Sequence, residues 1–232
     1  MALKTFLIMK EVELFITTDG STTLYSSKFG EHYHSTFGAI QESAHIFIQA
    51  ALDGFREKQS HINILEIGFG TGLNALLTLL WAEKFDQQIQ YHGLEAFPIS
   101  EELAGSLNYH EILKIDQQLF LKFHQPSSKP YSIKDRFTLE KEIIMLEKAV
   151  FAKEKYDVIY FDAFSPEVQP VLWTKDIFSK LFKSLKKGGV MTTYSCKGIV
   201  KRALKESGFR IEKLPGPPGK REFLRAFRDD TG

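Results

Sequence analysis

Apolar positions change period several times along the chain. Val12, Leu14 and Ile16 alternate with other residues, Asp19-Gly20 offers a turn, and Thr22 to Tyr25 returns, which predicts a β-hairpin over 11–27. Tyr33 to Thr36 reads as an irregular link. Ile40, Ala44, Phe47, Ile48, Ala51 and Phe55 then recur at helical spacing. After Ser60 short apolar runs alternate with helical patterns. Strands are predicted over 62–67, 89–94, 137–140, 157–161, 189–194, 209–213 and 222–227. Helices are predicted over 73–85, from Pro98 onward, and over 144–151, 174–185 and 197–207. Residues 110–135, with Pro126 and Pro130, fit an inserted, partly helical excursion. Alternating strands and helices imply an α/β fold with a mostly parallel sheet and helices on both faces. The expected division is an N-terminal hairpin-plus-helix extension over 1–60 and a sheet domain over 61–232. Ligands of such sheets bind at the carboxyl ends of the strands.

Composition narrows the class. The chain has 232 residues, 43% hydrophobic and 25% charged, as an ordinary globular protein does. No apolar run approaches the roughly 20 residues of a membrane span, so no membrane partner is expected. Residues 1–10 hold an apolar patch without a small-residue cleavage pattern, so no signal peptide is expected. A single cysteine, Cys196, excludes an internal disulfide framework and a multi-cysteine zinc site. It reads as a small core residue, and a reducing, cytoplasmic setting is expected. His32, His34 and His45 lack regular ligand spacing, and no metal is expected. The formal net charge is only +1. That total conceals a split: residues 1–174 carry 15 basic and 23 acidic side chains, and residues 175–232 carry 15 basic and 6 acidic.

Three unusual segments sit at predicted strand ends. The first is Glu66-Ile-Gly68-Phe-Gly70-Thr71-Gly72-Leu-Asn74, between a strand and a helix. Glycines there permit a tight turn and a close ligand approach. The third glycine arrives one residue earlier than in the dinucleotide fingerprint, and an acid precedes the first. Glu95 ends the next strand, where a carboxylate can accept both hydrogen bonds of a ribose diol. With no Lys-Ser/Thr after the glycines, S-adenosylmethionine fits better than ATP or NAD. The second segment is Asp157-Val-Ile-Tyr-Phe-Asp162-Ala-Phe164-Ser-Pro166, with Trp173 downstream. If a neutral amine is to be methylated, Asp162 can orient it and take its proton. Phe164 and Trp173 either stack on a planar base or belong to the core.

These segments, with Gln169-Pro-Val-Leu-Trp173 and Gly219-Lys-Arg-Glu222, resemble the MnmC/MnmD family. Tyr33-His-Ser35, Gly38, Glu42 and Phe47 resemble the family's entry pattern, and the resemblance covers residues 25–226. It implies a Rossmann-like class I methyltransferase fold. The implied reaction is S-adenosylmethionine-dependent methylation of the aminomethyl group of 5-aminomethyl-2-thiouridine at the tRNA wobble position. By the resemblance, Glu66, Gly68, Gly70, Thr71, Gly72, Asn74 and Glu95 serve the cofactor, and Asp162 the methyl-transfer site. Tyr33, Glu42, Phe164, Pro166, Trp173, Lys220 and Arg221 serve the acceptor. Ser165 and Gln169 depart from the commoner alanine and asparagine. Fused members carry a flavin-dependent oxidase domain that 232 residues cannot also contain, so a stand-alone enzyme without flavin is expected. A separate oxidoreductase or modification complex is expected upstream.

The third segment is basic: Lys201-Arg202, Lys205, Arg210, Lys220-Arg221, Arg225 and Arg228. Such clustering fits phosphate contacts to a tRNA anticodon loop, whose bases can be splayed into a pocket. Each cation also fits an ordinary solvated face. Two other readings are a spermidine-synthase-like aminopropyltransferase and a non-catalytic cofactor-binding RNA module. The basic distal segment disfavours the former, and Asp162 the latter.

Overall fold

A computed structural model describes residues 12–125, 127 and 129–229. The apolar patch over 1–10, the first hairpin residue Glu11, and Pro126 lie outside the described residues. Strands β1 (Val12–Ile16), β2 (Thr22–Ser26) and β3 (Glu31–His32) form a small antiparallel sheet. Helix α1 (Ala39–Ser43) continues into a widened π-helical stretch, Ala44–Leu52, and a closing turn, Asp53–Phe55. Next come β4 (His61–Ile67), α2 (Leu73–Phe85) and β5 (Gln88–Glu95). Short helices α3 (Glu101–Gly105), α4 (Tyr109–Leu113) and α5 (Gln117–Lys122) lead into β6 (Tyr131–Lys134) and β7 (Phe137–Ile143). The chain closes with β8 (Tyr156–Phe161), α6 (Lys175–Ser184), β9 (Leu185–Thr193), α7 (Gly198–Glu206), β10 (Arg210–Pro215) and β11 (Glu222–Phe227).

The main sheet has the order β10-β11-β9-β8-β4-β5-β7-β6. Its five central strands, β7, β5, β4, β8 and β9, are parallel. Strands β6, β10 and β11 pair antiparallel at the two margins. This is the mostly parallel α/β sheet that the sequence pattern predicts, in the Rossmann-like form that the resemblance implies. Strand order reverses between β4 and β8, so a crevice opens where their carboxyl ends diverge.

Both faces of the sheet are buried. Ile62, Ile64, Tyr91, Val158 and Tyr160 join a core with α2 and the helix over 39–55. Leu65, Ile67, Leu94, Ile159, Phe161 and Met191 face the opposite way, against Phe178 and Leu181 of α6 and Leu204 of α7. Every residue of β8 is buried, which explains its apolar run from Val158 to Phe161, and the buried Asp157 pairs with Lys186 at 2.9 Å. Helix α2 is apolar nearly all round because the sheet covers one side and the 39–55 helix another.

Two expectations change. Residues 144–151 form no helix: β7 runs to Ile143, and only a single turn follows. Lys180 of α6 explains this, because its ammonium donates to the carbonyls of Leu146, Glu147 and Ala149 at 3.0, 3.0 and 2.9 Å. A continuing helix would need those acceptors for itself. The excursion over 110–135 resolves into α4, which starts at Tyr109, then α5, and the unpredicted edge strand β6.

Candidate active site

Three strand ends are knitted together by backbone hydrogen bonds. The amides of Gly68 and Phe69 donate to Leu94 O at 3.0 and 3.1 Å, and the amide of Asp162 donates to Ile67 O at 2.8 Å. Gly68 adopts φ +84°, and a Cβ there would lie 2.4 Å from the carbonyl oxygen of Asp162. Only glycine permits both the conformation and the approach. Glu95 secures the loop from the β5 side. Its Oε2 accepts from the Gly70 amide at 2.8 Å and its Oε1 from the Phe97 amide at 2.7 Å. One lone pair on each oxygen is left for a further donor.

A polar chain runs from the sheet interior to the cavity wall. Tyr91 donates to Glu66 Oε2 at 2.8 Å. Asn74 Nδ2 donates to Glu66 Oε1 at 2.8 Å and to Asp162 Oδ2 at 2.9 Å. Glu66 is fully buried, and that burial holds its carboxyl well above the ordinary range. Asp162 is pushed up to about 7, first by burial and then by the charge of Glu42. The Asn74 hydrogen bond and Lys220 pull the other way. The strand end thus carries a carboxyl that titrates near neutrality.

The opposite wall comes from the N-terminal segment and the last loop. Glu42 accepts from the Ser35 amide at 2.7 Å and pairs with Lys220 at 3.0 Å. The Lys220 ammonium stands 4.9 Å from the centroid of the Tyr194 ring, over its face. Phe164 stacks on Phe29 at 4.5 Å and meets Tyr33 edge-on at 5.1 Å. Together these walls enclose a cavity of about 310 Å³ at the switch point. Gly68, Gly70, Thr71, Asn74, Glu95, Asp162, Tyr33, Glu42, Phe164 and Lys220 all line it.

A family profile described as S-adenosyl-L-methionine-dependent methyltransferase matches residues 110–229. The chain belongs to this family. The methyltransferase is 29% identical over 214 residues to the Nitrosospira multiformis protein named tRNA 5-methylaminomethyl-2-thiouridine biosynthesis bifunctional protein MnmC. That match covers 87% of the chain and 35% of the relative. The protein of the same name from Leptospira interrogans serogroup Icterohaemorrhagiae serovar copenhageni is 30% identical over 232 residues, covering 93% of the chain and 35% of the relative. The chain therefore spans about a third of the length of these relatives. Among solved structures, MnmC2 from Aquifex aeolicus superposes with a TM-score of 0.77 at 26% identity, over 96% of this chain and 72% of that one. Spermidine synthase from Thermotoga maritima, at 18% identity, TM-score 0.60 and 94% and 68% coverage, shares the fold.

The residues present fit S-adenosylmethionine. Asn74 Oδ1 is buried at the cavity without a hydrogen-bond partner, an acceptor suited to an ammonium donor. Glu95 offers its remaining lone pairs to a diol. Glu66 and Gly72 do not line the cavity, contrary to a direct contact role. Glu66 fixes Asn74 instead, and Gly72 caps α2.

The structure also places four acceptor-side residues. Trp173 is 3% exposed and donates its indole N–H to Phe164 O at 2.9 Å, so it braces the loop from the core rather than stacking on a base. Pro166 is buried outside the cavity lining. Lys220 is drawn inward by Glu42 rather than presented to solvent. Arg221 is exposed and outside the cavity.

Sequence reasoning gave no site role to Tyr194, His34 or Glu31, which line the same cavity. Tyr194 follows β9 and donates to Ala163 O at 2.9 Å. The strand-end logic that selects Glu95 and Asp162 selects Tyr194 equally well. His34 is held neutral, its pKa lowered to about 4 chiefly by burial. Glu31 accepts from the Ser165 amide at 3.0 Å and from the Ser165 hydroxyl. Ser165, the departure from the family's alanine, thus ties the loop after β8 to β3.

Proposed function

We propose that the methyltransferase methylates the primary amine of a 5-aminomethyl group on (2-thio)uridine at the tRNA wobble position, giving 5-methylaminomethyl. The observation that carries this reading is the position of Asp162. It joins the glycine turn and Glu95 on one side to the Glu42–Lys220–Tyr194 wall on the other, within a single cavity. The names of the MnmC relatives point to the same chemistry.

Glu95 and Asn74 would hold S-adenosylmethionine, which supplies an electrophilic methyl group on a sulfonium when bound. Asp162 as carboxylate accepts a hydrogen bond from the acceptor amine and aims its lone pair. With a pKa near 7, it is also matched to take the proton that the amine sheds on becoming secondary. Asn74 keeps Asp162 from rotating, and Glu66 and Tyr91 keep Asn74 in place. Tyr33 and Phe164 offer aromatic surface for a splayed base. No described helix is long and apolar enough to cross a membrane.

The test is transfer of labelled methyl from S-adenosylmethionine to tRNA bearing 5-aminomethyluridine. Label in that nucleoside is expected. Turnover of the decarboxylated cofactor on putrescine, with no label in tRNA, would assign the cavity to aminopropyl transfer instead.

A further inference from the structure

Outside the cofactor cavity, a buried histidine faces two carboxylates. His92 of β5 and Glu140 of β7 are register partners, and Glu142 lies two residues further along β7, so the three side chains share one face of the sheet. His92 is 6% exposed. Its Nδ1 lies 2.6 Å from the Tyr156 hydroxyl, and Phe151 covers its ring at 6.4 Å. Its Nε2 is buried without a hydrogen-bond partner, even though Glu142 Oε1 is only 3.3 Å away, because the two are not aligned for one. Two ligands bound at about 2.0–2.1 Å to a tetrahedral ion stand roughly 3.3 Å apart. Ligand atoms of His92, Glu140 and Glu142 all fall within 4.8 Å of one another.

We propose that His92, Glu140 and Glu142 bind one divalent transition-metal ion of the zinc class, with water completing the coordination. One imidazole nitrogen beside two carboxylates favours such an ion over magnesium or calcium, which take oxygen ligands. In the binding tautomer, Nδ1–H donates to the Tyr156 hydroxyl and leaves the Nε2 lone pair for the metal, and such an outer acceptor fixes the tautomer of a ligating histidine. Lys155, 3.8 Å from Glu140, is the competing cation, and at 41% exposure it can swing into solvent. None of the three ligands lines the cofactor cavity, so the ion would clamp β5 to β7 and stabilise the fold.

The experiment uses the untagged full chain stripped with EDTA and titrated calorimetrically with Zn²⁺. About one equivalent should bind, and Zn²⁺ should raise the Tm. The double variant Glu140→Gln/Glu142→Gln should bind at least about tenfold more weakly, with S-adenosylmethionine affinity unchanged. A His92 variant would also remove the hydrogen bond to Tyr156, so the glutamine pair carries the test. X-ray absorption of the zinc-loaded protein should add a nitrogen ligand. Absence of saturable zinc binding, or equal affinity in the wild type and the double variant, would overturn the proposal.

Discussion

Asp162 stands in a conflict between stability and chemistry. Burial raises its pKa to about 7 from the 3.8 of an ordinary aspartate, so burial favours the protonated form while the proposed methyl transfer would use the carboxylate. A raised folded-state pKa contributes stability that is fully present below the unfolded value and is lost as pH rises through the folded one. Asp162→Asn should therefore raise the Tm at pH 8 by roughly 2–4 °C for each kcal/mol recovered, and change it little near pH 4. The same variant should lose about 10²–10⁴-fold in transfer rate and keep S-adenosylmethionine affinity within about tenfold. Parallel melting curves and single-turnover rates check both halves. Unaltered turnover would remove Asp162 from the chemistry.

The charges around Asp162 give a second residue-scale prediction. Glu42 raises its pKa and Lys220 lowers it. For the wild type, kcat/KM should rise through about pH 7 as the carboxylate forms. Glu42→Gln should move that limb to lower pH and Lys220→Met to higher pH. A pH profile that stays fixed in both variants would mean that another group sets the limb.

At the scale of elements, the turn between β4 and α2 holds the site together. Gly68→Ala must leave φ +84° or collide with the Asp162 carbonyl 2.4 Å from its new Cβ. A loss of about 1–2 kcal/mol from the left-handed conformation alone is expected, together with weakened cofactor binding. Denaturant titration beside a cofactor-binding isotherm measures the two effects. This turn was legible in the sequence because glycine spacing and flanking periodicity are local signals. So were the parallel strands, each of which overlaps its predicted span. The segment over 144–151 was not, because the three carbonyls that would continue its helix are taken by Lys180, a residue remote in sequence. The surroundings of Trp173 and Lys220 were hidden for the same reason. For Trp173 the choice between stacking and core rests on the Phe164 carbonyl, and the inward turn of Lys220 rests on Glu42.

Across the whole molecule, two groups of cations in the basic distal quarter differ in their partners. Arg210, Arg225 and Arg228 are committed to Asp229, Glu212 and Glu154. Lys201, Arg202, Lys205 and Arg221 form no salt bridge among the described residues. Neutralising this second group should weaken tRNA binding and reduce the salt slope by about 0.7–0.9 for each phosphate that is no longer neutralised. Neutralising the first group should show mainly as lower stability. Equal salt slopes for wild type and the second-group variant would return these four side chains to a solvated face. Above all, one cavity is to bring the cofactor methyl and a tRNA aminomethyl group together at Asp162. The most direct test is mass analysis of nucleosides from 5-aminomethyluridine-bearing tRNA incubated with the protein and S-adenosylmethionine. The wobble nucleoside should gain one methyl on its side-chain nitrogen with the wild type and none with Asp162→Ala. An unmodified wobble nucleoside with the folded, cofactor-bound wild type would contradict this role for the cavity.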